Sequence, residues 1–213
     1  MTRIILVRHG ETEWNRVERF RGRADVPLNE KGLLQAEATA RGIESRVSAA
    51  AVYSSPLSRA MRTAQAIAER QSLIVQIHQG LVDIDYGEWQ GLSAEEVKQR
   101  WPEQLAGWYQ TPHKVRIPGG ESLDELRARC AATVKEIVTR HSGSAVVLVA
   151  HTVVNRIILL FILGLDNGRF WRLRQDACAV NEIEVDGEEF TLVSMNDTCH
   201  LRSSGTEKAT TGE

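Results

Sequence analysis

The chain has 213 residues, 42% hydrophobic and 25% charged, the proportions of a globular protein with enough apolar side chains for a full core. Lys and Arg number 26 against 28 Asp and Glu. The formal net charge of -2 speaks against general nucleic-acid binding and makes any anion site a local concentration of Arg and His.

Ile4-Ile5-Leu6-Val7 is a short apolar run rich in β-branching and predicts a buried strand of a parallel sheet. A polar loop leads to Asn29, an expected N-cap for a helix running to about Arg46. Ala51–Ser54 predicts a second strand, and Ser55-Pro56 opens a helix to about Arg70 with proline in its first turn. Leu73–Ile77 predicts a third strand. The stretch from Gly87 to Gly120, with Trp89, Trp101 and Trp108, predicts an insertion of short helices and loops. A helix from Glu121 to about His141 precedes Ala145–Ala150, the strongest strand signal, and Val153–Leu163 predicts a buried helix. Alternation near Ala179–Val185 and Phe190–Met195 predicts a hairpin turning at Asp186-Gly187. Strand and helix alternate over most of the length, which predicts an α/β sandwich on a mostly parallel sheet. Residues 1–202 are expected to form one domain, and 203–213, rich in Ser, Thr, Gly and charge, a disordered tail.

Cys130, Cys178 and Cys199 are widely spaced and include no Cys-x-x-Cys pair, so three reduced thiols are expected rather than disulfides or a zinc site. Arg3 is followed by only four apolar residues before Arg8, unlike a signal peptide. The longest apolar run, Ile157–Leu163, is seven residues, against about 20 for a membrane span. A cytoplasmic protein with no membrane partner is expected.

In parallel sheets ligand sites lie beyond the carboxyl ends of the strands. Arg8-His9-Gly10 ends the first predicted strand, Ala150-His151-Thr152 the strongest one, and Ser54 to Arg59 a third; Asp83-Ile84-Asp85-Tyr86-Gly87 follows the next. Neighbouring strands would bring two His, at least two Arg and a carboxylate to one edge. Guanidinium forks bind tetrahedral phosphate through paired hydrogen bonds. A neutral imidazole can attack phosphorus, and a carboxylic acid of raised pKa can protonate the leaving alcohol. No cofactor or metal is required when cationic side chains hold the transferring charge. Each residue alone has a duller reading: a structural histidine, a surface arginine, two turn aspartates, packed tryptophans. Their co-occurrence in order at successive strand ends carries the case.

The segment Leu6-Val7-Arg8-His9-Gly10-Glu11-Thr12-Glu13-Trp14-Asn15 resembles the signature of the histidine phosphatase superfamily, phosphoglycerate mutase-like branch. The resemblance continues through Leu28–Gly32, Tyr53–Ala60, Asp85–Gly91, Pro118–Ser122 and Val149–Thr152, over about residues 1–202. It implies a three-layer α/β/α sandwich. It makes His9 the nucleophile, with Arg8, Arg59 and His151 holding the phosphoryl oxygens and Asn15 donating a further hydrogen bond. Arg21 and Gly22 fall where the family contacts the rest of the substrate. Asp83 falls at the acid/base position, where most relatives have Glu; Asp85 and Glu88 are the fallback acids. One methylene less shortens the reach by about 1 Å, a misplacement that can cost about 100-fold in rate.

The family divides between hydrolases and mutases. Only Leu92–Pro118 lies where mutases carry a long insertion, and Thr152-Val153 follows the second histidine where mutases have Gly-Asn, so a phosphatase is expected. The segments Pro112–Val115, Phe170-Trp171 and Thr198–Leu201 look most like metal-independent phosphoserine phosphatases of the superfamily. That likeness makes phosphoserine the expected substrate, with Arg21, His113, Lys114, Arg116 and His200 as candidate partners for its carboxylate and Asp85 or Glu88 for its ammonium; Tyr86 and Thr152 are further expected substrate contacts. A broad-specificity or α-ribazole phosphatase, a mutase, and a non-catalytic phosphate-binding module are the alternatives. Asp83-Ile84-Asp85 also has the Asp-x-Asp spacing of magnesium-dependent haloacid-dehalogenase phosphatases, but far from the first strand. The expected partner is a small phosphorylated metabolite; a second copy of the chain, as a homodimer, rests on analogy to relatives.

Overall fold

A computed structural model describes residues 1–17 and 19–202. The expected disordered tail at 203–213 lies outside the described residues. Strand β1 (Thr2–Arg8) is apolar on both faces: Ile4 and Leu6 enter one core, Ile5 and Val7 the other. A loop carrying the single turn α1 (Glu13–Arg16) leads to α2 (Glu30–Glu44). Asn29 caps α2 as its sequence position predicts, its side chain accepting the Gly32 N–H at 2.8 Å. Next come β2 (Ala51–Ser54), α3 (Ser58–Arg70) and β3 (Val75–Ile77). The expected insertion contains α4 (Ala94–Arg100) and α5 (Pro102–Gln110). Then follow α6 (Leu123–Arg140), β4 (Ala145–Ala150), α7 (Thr152–Ile162), the hairpin β5 (Val180–Asp186) and β6 (Glu189–Asp197), and the short α8 (Cys199–Arg202).

Among the described residues the strands form one sheet in the order β3-β2-β4-β1-β5-β6. The first four are parallel, and β5 and β6 run antiparallel to their neighbours. The sheet is mostly parallel with helices on both faces, the expected three layers. Helices α2 and α3 cover Ile5, Val7, Val147 and Val149. Helices α6 and α7 and the insertion, with Trp89 and Trp108, cover Ile4, Leu6, Val146 and Leu148. No helix among the described residues is long and apolar enough to cross a membrane.

Boundaries differ from expectation where local hydrogen bonds outweigh apolar pattern. The third strand loses Leu73 and Ile74: Ser72 turns left-handed (φ 54) and the Leu73 N–H closes the end of α3 on the Ala68 carbonyl. Helix α3 begins after Leu57, two residues later than expected, leaving Pro56 in the preceding turn. Helix α6 starts at Leu123 because Ser122 and Glu125 cap it reciprocally. The hairpin turns one residue later than expected, at Gly187-Glu188.

Candidate active site

The register of the parallel ladder assembles the site. Its hydrogen bonding runs one step past the strand ends: the His9 N–H donates to the Ala150 carbonyl at 3.0 Å and the Ser55 N–H to the Val149 carbonyl at 3.1 Å. His9, Ser55 and His151 therefore emerge together. The two imidazoles stand 5.1 Å apart between ring centres, tilted by 59°. After His9 the chain passes so close to α2 that a Cβ on Gly10 would lie 2.5 Å from the Gly32 carbonyl oxygen, which only glycine permits.

Each ring has one engaged and one unengaged nitrogen. His9 Nδ1–H donates to the Gly10 carbonyl at 2.6 Å. A carbonyl only accepts, so the neutral ring carries its proton on Nδ1 and its lone pair on Nε2. Nε2 is buried and has no hydrogen-bond partner among the described residues. His151 Nε2 meets Ser55 Oγ at 2.8 Å, and its Nδ1 is buried and likewise unpartnered. Burial, then the Arg59 charge, hold both histidines well below the usual imidazole pKa, so both rings are neutral at pH 7.

Arg59, in the first turn of α3, is fully buried. Its Nη1 donates to the Ala24 carbonyl and its Nη2 to the Gly22 carbonyl, both at 2.7 Å, and Nη2 also reaches Asp83 Oδ2 at 3.2 Å. Arg8 is held by a 2.7 Å bond from Nη1 to the Gln175 carbonyl, and burial lowers its pKa to about 10, leaving it cationic. Asp83 is fixed at its backbone, where Arg129 of α6 donates to the carbonyl oxygen at 3.1 Å. Its Oδ1 accepts the Ile84 N–H at 3.0 Å, and its Oδ2 lies 3.6 Å from His151 Nδ1. Burial raises the Asp83 pKa, and the Arg59 and Arg21 charges, which pull the other way, do not cancel it.

A cavity of about 450 Å³ opens from this cluster. Of the expected contacts, Arg8, Asn15, Arg21, Gly22, Asp83, Tyr86 and Thr152 line it. His9, Arg59 and His151 are fully buried beside Arg8 and Asp83. Asn15 is oriented through its carbonyl oxygen, which accepts the Thr12 N–H and O–H, both at 2.9 Å. The structure does not bring His113 and His200 here. His113 is exposed on the turn Pro112–Lys114, beside Gly168. His200 lies on α8, packed against α2, with Nε2 3.1 Å from Thr39 Oγ1. The fallback acids also miss the cavity: Asp85 pairs with Arg23 at 3.1 Å, and Glu88 is exposed.

The histidine phosphatase superfamily (branch 1) matches residues 4–198. The chain belongs to this family. Phosphoserine phosphatase 1 of Hydrogenobacter thermophilus is 39% identical over 201 residues, 94% of this chain and 95% of the relative. Bacillus stearothermophilus YhfR superposes with a TM-score of 0.90 at 31% identity, covering 94% of this chain and all of that one. A phosphoserine phosphatase mutant from Entamoeba histolytica, in complex with phosphoserine, superposes with a TM-score of 0.82 at 28% identity over 94% of this chain and all of that one. This histidine phosphatase is a phosphoric monoester hydrolase.

Some groups in this histidine phosphatase had no role in the sequence reading. Ser55 engages His151, and Arg129 anchors the backbone of Asp83. Arg156 and Gln175 line the cavity beside Phe170 and Trp171, a pair already named in the likeness to phosphoserine phosphatases. The signal for Arg156 was available: it is the one charged residue between His151 and Asp166.

Proposed function

We propose that the chain hydrolyses a small phosphomonoester, phosphoserine first among candidates, through a phospho-histidine on His9. The observation that carries the reading is the state of His9: Nδ1–H is given to the Gly10 carbonyl, and Nε2 is unpartnered beside Arg8, Arg59 and His151. Arg8, Arg59, Asn15 and His151 supply donors for the phosphoryl oxygens. The His9 Nε2 lone pair forms the N–P bond as the P–O bond to the alcohol breaks. Asp83, whose pKa burial raises, gives a proton to the departing oxygen. The resulting carboxylate then takes a proton from the water that attacks phosphorus, releasing phosphate and restoring His9. Phosphoserine is favoured by the phosphoserine phosphatases among the relatives. Hydrolysis over mutase chemistry is favoured by the short 92–118 segment and by Thr152-Val153 after His151.

The test is acid-labile label. Rapid quenching with ³²P-phosphoserine is expected to leave phosphate on His9 in the wild type and none in His9→Ala. The variant is expected to lose turnover on the order of 10³-fold or more on both phosphoserine and para-nitrophenyl phosphate. Unchanged turnover in His9→Ala defeats the mechanism, and turnover of para-nitrophenyl phosphate without phosphoserine defeats the substrate.

A further inference from the structure

Arg156 sits one turn after Thr152 on α7, and both side chains line the cavity. Residues four apart on a helix share a face with their Cβ atoms about 5–6 Å apart. Thr152 Oγ1 and Arg156 Nε are both buried without a hydrogen-bond partner. The Arg156 guanidinium lies 5.0 Å from the ring centres of both Phe170 and Trp171. That aromatic wall is itself held: Phe170 is fully buried, and the Trp171 indole N–H donates to the Trp108 carbonyl at 2.6 Å.

Contact with an aromatic face steadies a guanidinium without using its in-plane N–H donors. Arg156 makes no ion pair among the described residues, whereas Arg23 and Arg129, nearby, are committed to Asp85 and Glu121. Asp83 is the acid lining the cavity, and Arg59 and His151 already face it. The cavity thus holds a pre-oriented cationic fork, one helical turn from the phosphoryl end, with nothing anionic assigned to it. A planar fork is matched by a carboxylate.

We infer that Arg156 and Thr152 form a carboxylate subsite, making this enzyme selective for phosphomonoesters that also carry a carboxylate. The inference rests on the phosphatase reading above and names the part of the substrate that Arg156 grips. Arg156 donates to both carboxylate oxygens, and the Thr152 hydroxyl adds a third hydrogen bond.

The test compares substrates differing in the carboxylate alone. Phosphoserine is set against phosphoethanolamine, and 3-phosphoglycerate against glycerol 3-phosphate, with wild type, Arg156→Gln and Arg156→Lys. The wild type is expected to prefer the carboxylate-bearing member of whichever pair it turns over by about 10- to 100-fold in kcat/KM. Arg156→Gln is expected to erase that preference, chiefly through a higher KM. Arg156→Lys, which keeps the charge and loses the fork, is expected to erase it in part. A preference that survives in Arg156→Gln overturns the subsite, as does wild-type indifference to the carboxylate. If both variants lose all four substrates and para-nitrophenyl phosphate equally, Arg156 only supports the fold and the subsite is also overturned. Selective hydrolysis of 3-phosphoglycerate but not phosphoserine, lost in Arg156→Gln, upholds the subsite while removing phosphoserine as the substrate.

Discussion

Asp83 shows how one side chain can be both paired and acidic. An Arg59 contact at 3.2 Å would ordinarily hold a carboxylate ionised, but Asp83 is buried and its pKa is raised. Arg129 of α6 holds the backbone of this short side chain, and its Oδ2 faces Arg59 and His151. The pH dependence follows in sign. His9, the proposed nucleophile, titrates well below the usual imidazole range and so stays neutral from mildly acidic pH upward. A raised Asp83 pKa extends the protonated acid to higher pH, and activity then falls as pH rises through it. Asp83→Asn should flatten that alkaline limb of the kcat profile. It should also slow phosphoserine more than para-nitrophenyl phosphate, by a factor on the order of 10²–10⁴, since the second leaving group needs little protonation. Equal losses on the two esters would count against Asp83 as the acid.

At the scale of the element, the site depends on where helices begin. Helix α3 starts at Ser58, which places Arg59 in its first turn. Helix α7 starts directly after His151, so Thr152 and Arg156 share the face toward the cavity. Helix α6 carries Arg129 and is capped where Ser122 Oγ accepts the Glu125 N–H at 3.2 Å while the Glu125 carboxylate accepts the Ser122 N–H at 2.9 Å. Ser122→Ala removes one half of that exchange and should cost about 1 kcal/mol. For a chain of this size that lowers Tm by about 2–4 °C, readable in a thermal melt followed by circular dichroism. A variant that melts with the wild type would show that packing of Leu123 and Leu126 alone sets the start of α6.

Across the whole molecule, a chain of net charge -2 concentrates Arg8, Arg21, Arg59 and Arg156 at one cleft, a local positive field suited to an anion. The far edge is tied by Asp197, at the end of β6, to Arg46, just beyond α2, at 2.9 Å. Partial burial of Asp197 works against ionisation, but the Cys199 N–H and Arg46 outweigh it and lower its pKa to about 2. A carboxylate depressed in the folded state stabilises above its unfolded pKa, and that contribution is lost as pH falls toward the folded value. Urea melts should therefore lose on the order of 1–2 kcal/mol between about pH 4 and pH 2 through this group. Asp197→Asn should lack that part of the acid dependence and be less stable at pH 7; an unchanged acid limb would assign it to other carboxylates.

The sequence by itself determined the strand-and-helix order, the layer architecture and the strand ends that carry Arg8, His9, Arg59 and His151. Those are legible because a buried parallel strand needs an unbroken apolar run and because Arg8-His9-Gly10, Arg59 and His151 follow such runs directly. Tertiary structure alone decided which distant side chains join them. His113 and His200 were candidate partners for a substrate carboxylate but sit on a peripheral turn and on the layer beyond α2, and no local pattern encodes that distance. Arg156 showed the reverse: a lone cation in an apolar helix reads as an anomaly until Phe170 and Trp171, brought from the following segment, turn its guanidinium into the cavity wall. Periodicity reports which face of an element is buried, whereas a site depends on which faces meet, and that is settled by sheet order and register.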